Sequence, residues 1–251
     1  GASIITMEGC WSFNNRAYLY GEGNGCKMGW TNQSVDAFRL IIKKCISIYN
    51  DGWGFHTNDK NYPTVRWMNL SNNTSYKNNY WGFGIFNTSA SDEEELHRVF
   101  RNNIAYKNTI AEVQVATGAL YSHDHNSWDT PVNLTDNDFI SLDSTGLSGP
   151  RKPDGSLPDL NGFLKLKAGS KAIDTGVDVG LPYFGKAPDL GAYEYDPEEG
   201  MNQYPVISIT YPESGDLFTT PVNITIITDA SDPDGSVKIV EFYNGSVKIG
   251  E

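Results

Sequence analysis

Short runs that alternate apolar and polar residues, each closed by an asparagine, recur along the first half of the chain. They read Cys10-Trp-Ser-Phe-Asn-Asn15, Cys45-Ile-Ser-Ile-Tyr-Asn50, Asn73-Thr-Ser-Tyr-Lys-Asn78 and Asn103-Ile-Ala-Tyr-Lys-Asn108, and their first members stand 35, 28 and 30 residues apart. Between them lie further β-type runs such as "FRLIIKKCISIY" and "TVRWMNLS", separated by Asn, Gly and Asp, with no helical stripe. A period near 30 built from short strands and polar turns predicts a solenoid in which each strand pairs in parallel with its counterpart on the next coil. The closing Asn15, Asn50, Asn78 and Asn108 would then stack at one bend, where asparagine tolerates left-handed backbone angles and amides bond along the column.

Beyond Trp128 the pattern changes. Residues 128–196 are rich in Pro, Gly and Asp, read as extended loops with short strands, and are expected to pack over the last coils. After "DPEEGMNQYP" the runs "PVISITYPESG", "PVNITIITDASDPDG" and "VKIVEFYNGSVKIGE" alternate at period two, with a hairpin-type turn at Asn244-Gly245. The expected organisation is a β-helix over 1–200 and a partial, sandwich-like β domain over 204–251. The chain opens on "GASIITMEG" with no initiator Met or leader and stops in what reads as mid-strand, so a piece of a longer protein is expected.

Composition narrows the function. Net charge is −12, with 17 basic and 24 acidic residues up to Gln203 and 2 and 7 after it, so neither part carries the basic footprint of a nucleic-acid binder. An acidic surface also opposes an acidic polymer unless a cation bridges the two. No run of 18 apolar residues is present, so no membrane span is expected. Cys10, Cys26 and Cys45 are an odd set and read as buried free thiols.

The stretch "GEGNGCKMG", residues 21–29, places Lys27 after three closely spaced glycines. A phosphate-cradling loop would need Gly-Lys followed by Ser or Thr, whereas Lys27 lies between Cys26 and Met28. On a short strand Cys26 and Met28 would face the core and Lys27 the opposite side. Gly21, Gly23 and Gly25 would permit bends and close approach of a polymer. One coil on, "DGWGFHTND" offers Trp53 for stacking on a sugar face and His56 and Asn58 for hydrogen bonds, while Asn24 and Glu22 could orient Lys27 or touch substrate. Solvated strand and turn residues would show the same pattern. His123 and His125 lack an evident third ligand, and Asp229, Asp232 and Asp234 with Gly235 lack calcium-loop spacing.

"GEGNGCKMG", "KKCISIYNDGWGFHTND" and "NNTSYKNN" together resemble the core of the family 9 polysaccharide lyases, which are pectate lyases folded as right-handed parallel β-helices. "DFISLD", "GPRKPDGSLPD", "FLKLKAGSKAIDTGVDVG" and "GKAPDLGAYE" resemble their closing segment, and the tail resembles bacterial immunoglobulin-like modules. The resemblance covers roughly residues 1–196 and implies an all-β, right-handed parallel β-helix. It implies Lys27 as the catalytic base of a β-elimination on an acidic plant-type polysaccharide, in a bacterial protein that is secreted or at the cell surface and monomeric. Cys26 stands where the family shows an aromatic residue and Glu22 where it shows Asp. Calcium is implied as cofactor, with ligands expected upstream of Gly1, so no residue here is assigned to metal. The rivals are a non-catalytic carbohydrate-binding or adhesin-type β-helix and a hydrolase or epimerase, the latter needing paired carboxylates.

Overall fold

The computed structural model describes residues 4–17, 22–28, 40–57, 67–85, 97–117, 119, 121–153, 155, 157–158, 160–198, 205–220, 222–232 and 236–251. Two compact units divide the chain, Gly1–Tyr195 and Asp196–Glu251.

The first unit is a stack of coils with three strands per turn. Sheet A holds β1 (Ile5–Glu8), β4 (Leu40–Lys43), β7 (Trp67–Ser71), β10 (His97–Arg101) and β13 (Ser122–Asp124). Sheet B holds β2 (Trp11–Phe13), β5 (Ile46–Ile48), β8 (Thr74–Tyr76) and β11 (Ile104–Tyr106). Sheet C holds β3 (Cys26–Lys27), β6 (Phe55–His56), β9 (Trp81–Ile85) and β12 (Ala111–Val115). All pairings in these sheets are parallel. The chain forms the expected parallel β-helix.

Two bends per coil repeat one device, a residue with positive φ followed by a ladder residue. After the sheet A strands the left-handed residues are Gly9, Lys44, Asn72, Asn102 and His125; after the sheet B strands they are Asn14, Tyr49, Lys77 and Lys107. Lys44 thus splits the apolar run 38–49 into β4 and β5. The amides that follow the second bend stack as the spacing predicts: Asn15 Nδ2 donates to Asn50 Oδ1 over 2.8 Å, Asn50 Nδ2 to Asn78 Oδ1 over 2.8 Å, and Asn78 Nδ2 to Asn108 Oδ1 over 2.9 Å. A second ladder follows the first bend, Asn73 to Asn103 over 3.0 Å and Asn103 to Asn126 over 2.7 Å, with Cys45 and Cys10 in the same column on the preceding coils. Each ladder ends on a carboxylate, Glu112 for Asn108 and Asp129 for Asn126, which accepts the last amide protons.

Two cores result. Inside the solenoid lie Met28, Ile42, Cys45, Phe55, Met68, Leu70, Phe83, Ile85, Phe100 and Ala105. The other core lies on the outer face of sheet B, where Ile46, Ile48, Tyr76, Ile104 and Tyr106 are covered by Phe139, Phe163, Leu164, Leu166 and Leu190 of the closing segment. That segment therefore runs beside the solenoid, and its residues 144 and 146–149 line one cavity with Asn14 of the first described coil, where the sequence led us to expect packing over the last coils. Its attachment is polar as well as apolar: Gly191 N–H donates to the Asn102 carbonyl and Ala192 N–H to Thr74 Oγ1.

Two further expectations are corrected. Cys10 is exposed rather than buried, because among the described residues its turn has a stacked neighbour, Cys45, on one side only. In the second unit β14 (Val206–Tyr211) pairs antiparallel with β15 (Ile227–Ser231), and β16 (Phe242–Asn244) with β17 (Val247–Gly250). The β16–β17 turn centres on Gly245 and Ser246, one residue later than expected, since the positive φ falls on Gly245, at 62°.

Candidate functional site on sheet C

Strand β3 is two residues long, yet it sorts its neighbourhood cleanly. Cys26 packs against the solenoid core, Met28 is buried, and Lys27 between them is 43% exposed at the side chain. Burial pushes the Cys26 thiol up to about 12, so it is an inert packing group. Gly23 forms a bend with φ 62°. Gly25 has a different task from the one expected: a side chain there would strike Ser47 Oγ and Asn50 Nδ2 of the next coil, so its bareness serves packing and not polymer approach. Gly21 lies outside the described residues.

Lys27 is held from its own loop. Its Nζ is 2.9 Å from Glu22 Oε2, and Asn24 Nδ2 donates to that same oxygen over 2.9 Å. Asn24 Oδ1 accepts the Trp53 backbone N–H over 3.0 Å, so one amide links the Lys27 loop to the next coil. The ammonium beside Glu22 holds its carboxyl below the usual carboxylate range.

Next along sheet C, His56 is in register with Lys27 and Gly84 with His56. The Trp53 ring lies 4.5 Å from the His56 ring, centroid to centroid, and covers it. A side chain at Gly84 would come within 2.8 Å of the Trp53 ring and 3.2 Å of the His56 ring, so glycine is what lets both lie there. Burial pushes the His56 imidazole down to about 4; the Lys27 charge acts in the same direction and Glu22 against it. His56 is therefore a neutral group at ordinary pH.

The structure thus gathers Lys27, Asn24, Trp53 and His56 on two consecutive coils, with Glu22 fixed against Lys27. Asn58 lies outside the described residues. Two aromatic neighbours escaped the sequence reading: Trp81, whose ring is stacked on Trp53 at 5.5 Å, and Tyr80, 5.0 Å from Trp53. The signal was there in the repeated Trp-Gly-Phe at 53–55 and 81–83. His123 and His125 turn to different carboxylates, Asp129 and Asp124.

Calcium takes about six to eight oxygen ligands. Around Lys27 the Glu22 carboxylate is already engaged by Lys27 and Asn24, and among the described residues no group of three or more His, Cys, Asp or Glu side chains converges. These residues do not form a calcium cage. Among the described residues, no helix is long and apolar enough to cross a membrane.

Comparison with known proteins shows what the chain is similar to. Residues 205–251 match the family model of a bacterial Ig domain. Over 198 residues the chain is 34% identical to pectate lyase L of Dickeya dadantii, covering 76% of this chain and 42% of that protein. It is 30% identical over 159 residues to pectate lyase PEL9 of Emericella nidulans, covering 63% of this chain and 35% of that protein. The crystal structure of pectate lyase Pel9A superposes with a TM-score of 0.61 at 31% identity, covering 78% of this chain and 46% of that one. The chain spans less than half the length of these relatives.

Proposed function

Since the solenoid is homologous to pectate lyases, we propose that the chain carries the base of a polysaccharide lyase acting on pectate or a similar polyuronate, with Lys27 in that role. The C5 proton of a uronate is made acidic by the adjoining carboxyl group. It passes to Lys27 Nζ, the C5–H electron pair forms the C4–C5 double bond, and the C4–O bond to the next sugar breaks. The departing oxygen takes a proton from solvent.

The observation that carries this reading is the single half-exposed amine of β3, aimed away from the core by Cys26 and Met28 and fixed by Glu22 beside an aromatic floor. A base must present its lone pair to the proton it takes, so on this proposal the Lys27–Glu22 contact opens before proton transfer. Asn24 holds the loop to the Trp53 backbone, and His56, neutral and in register with Lys27, offers hydrogen bonding without adding charge. The calcium implied by the family resemblance is held, on this proposal, by residues other than those described around Lys27. A polymer of this size is met outside the cell, which fits a secreted or cell-surface protein.

The test is formation of unsaturated, ultraviolet-absorbing product from polygalacturonate, with calcium and after chelation. Product that disappears on chelation supports the proposal. Binding of polygalacturonate without any product would overturn it in favour of a carbohydrate-binding scaffold.

A further inference from the structure

The Lys27 coil is longer than the coils stacked on it. Counted between residues in register, the step from the ladder asparagine to sheet C takes 11 residues in the first described coil, Asn15 to Cys26, and 5 in each of the next three, Asn50 to Phe55, Asn78 to Phe83 and Asn108 to Val113. Six extra residues therefore precede the strand that carries the amine. Ordering a longer connection costs closure entropy, which a neighbour that binds both of its feet offsets.

That neighbour is the turn Asp51-Gly52-Trp53 of the next coil. Its three consecutive backbone N–H groups donate to the Asn15 carbonyl over 3.0 Å, the Gly23 carbonyl over 2.9 Å and Asn24 Oδ1 over 3.0 Å, so it takes one foot of the connection and then the other. The feet also meet: a side chain at Gly23 would come within 2.9 Å of the Asn15 carbonyl and 2.7 Å of the Ala17 nitrogen. On the shorter coils the first of these backbone bonds recurs, with Asn79 and Thr109 donating to the Asn50 and Asn78 carbonyls. The Asp51 carboxylate does not recur, since Asn79 and Thr109 stand at its place. Asp51 Oδ2 accepts the Ala17 N–H over 2.9 Å and Oδ1 the Arg16 guanidinium over 3.0 Å, while Asn79 Nδ2 reaches Oδ1 from the coil beyond over 3.3 Å. The Arg16 side chain is 71% exposed, so water screens the ion pair and the bond to the Ala17 backbone is what fixes the foot.

From this we infer that Asp51 is a positioning residue for Lys27: it pins the start of the long connection, Gly52 beside it leaves room for the end, and Glu22 and Asn24 are thereby set where they hold the amine. A side chain at Gly52 would overlap Asn24 Oδ1 and the Glu22 carbonyl. The inference rests on the lyase reading for what Lys27 does and goes beyond it in naming the residue of another coil that aims it.

The experiment follows unsaturated product from polygalacturonate with calcium in Asp51→Ala, in Asp51→Asn, and in Glu22→Gln alone and combined with Asp51→Ala. Circular dichroism checks folding, and hydrogen–deuterium exchange over residues 22–28 gives a readout that needs no turnover. The anchor predicts that Asp51→Ala lowers kcat roughly tenfold with KM nearly unchanged. Asp51→Asn, which keeps an acceptor for the Ala17 N–H, should recover most of that loss. In the Glu22→Gln protein the alanine change should cost less than about threefold, because the contact it serves is already gone. Exchange over residues 22–28 should quicken in Asp51→Ala. A wild-type kcat in folded Asp51→Ala overturns the inference, as does a loss that multiplies in full with that of Glu22→Gln. If the wild-type protein makes no product, the lyase reading falls and exchange decides the anchor alone: faster exchange over 22–28 in Asp51→Ala retains it, and unchanged exchange overturns it.

Discussion

Lys27 Nζ and Glu22 Oε2 are 2.9 Å apart, and that oxygen is also fixed by Asn24. Both partners are about half exposed, so the pair adds little to folding stability; its consequence is for the amine's aim. Glu22→Gln keeps the hydrogen-bonding shape and removes the charge that anchors the Lys27 side chain. The rate of product formation from polygalacturonate is expected to fall by roughly tenfold with the urea midpoint unmoved. A rate equal to that of the wild type would show that Glu22 does not position the amine.

His56 gives the site a pH-dependent stability. Its folded-state value of about 4 lies below its ordinary 6.5, so the unfolded chain binds more protons between those limits. The stabilisation is present in full above pH 6.5, declines as pH falls, and is lost through pH 4, amounting to at most about 3 kcal/mol. Urea midpoints at several pH values are expected to show this loss, and His56→Gln, which cannot titrate, should flatten it. An acid loss of equal size in the variant would place the sensitivity elsewhere.

The amide ladder is a column of buried donors and acceptors, each satisfied by its neighbours. Asn78 accepts from Asn50 and donates to Asn108 and to the Ser47 carbonyl, all within the interior. Asn78→Ala strands several of these groups and should cost about 3 kcal/mol or more, read as a fall in the urea midpoint. Asn15, exposed at the first described rung, should cost less than half as much on the same substitution. Equal losses at the two positions would mean the ladder is not continuous.

The repeat was legible because the second bend has the same local chemistry on each of its four coils, a left-handed residue and then an asparagine. The second ladder was half hidden, since Cys10 and Cys45 occupy its first two rungs. The path of the closing segment was not legible. Ile46, Ile48, Tyr76, Ile104 and Tyr106 are apolar on the outer face, while Ser47 and Ser75 between them face inward, and a strand buried on both sides does not announce which face is the interior. Lys27 could be nominated as a base only through the family resemblance, and Asn24, Trp53 and His56 from residue type and their place near it, but the interlock of Glu22 and Asn24 depends on loop geometry. Gly25 misled for the same reason, because its missing side chain faces the adjacent coil.

The central claim, that Lys27 is the base, is tested most directly by Lys27→Ala on polygalacturonate with calcium, followed by ultraviolet absorbance. Because the side chain is exposed and outside the core, the variant should unfold at the wild-type urea midpoint. The account predicts a folded protein whose rate of unsaturated product formation falls by about 10²–10⁴-fold. A folded Lys27→Ala protein that retains the wild-type rate would contradict it.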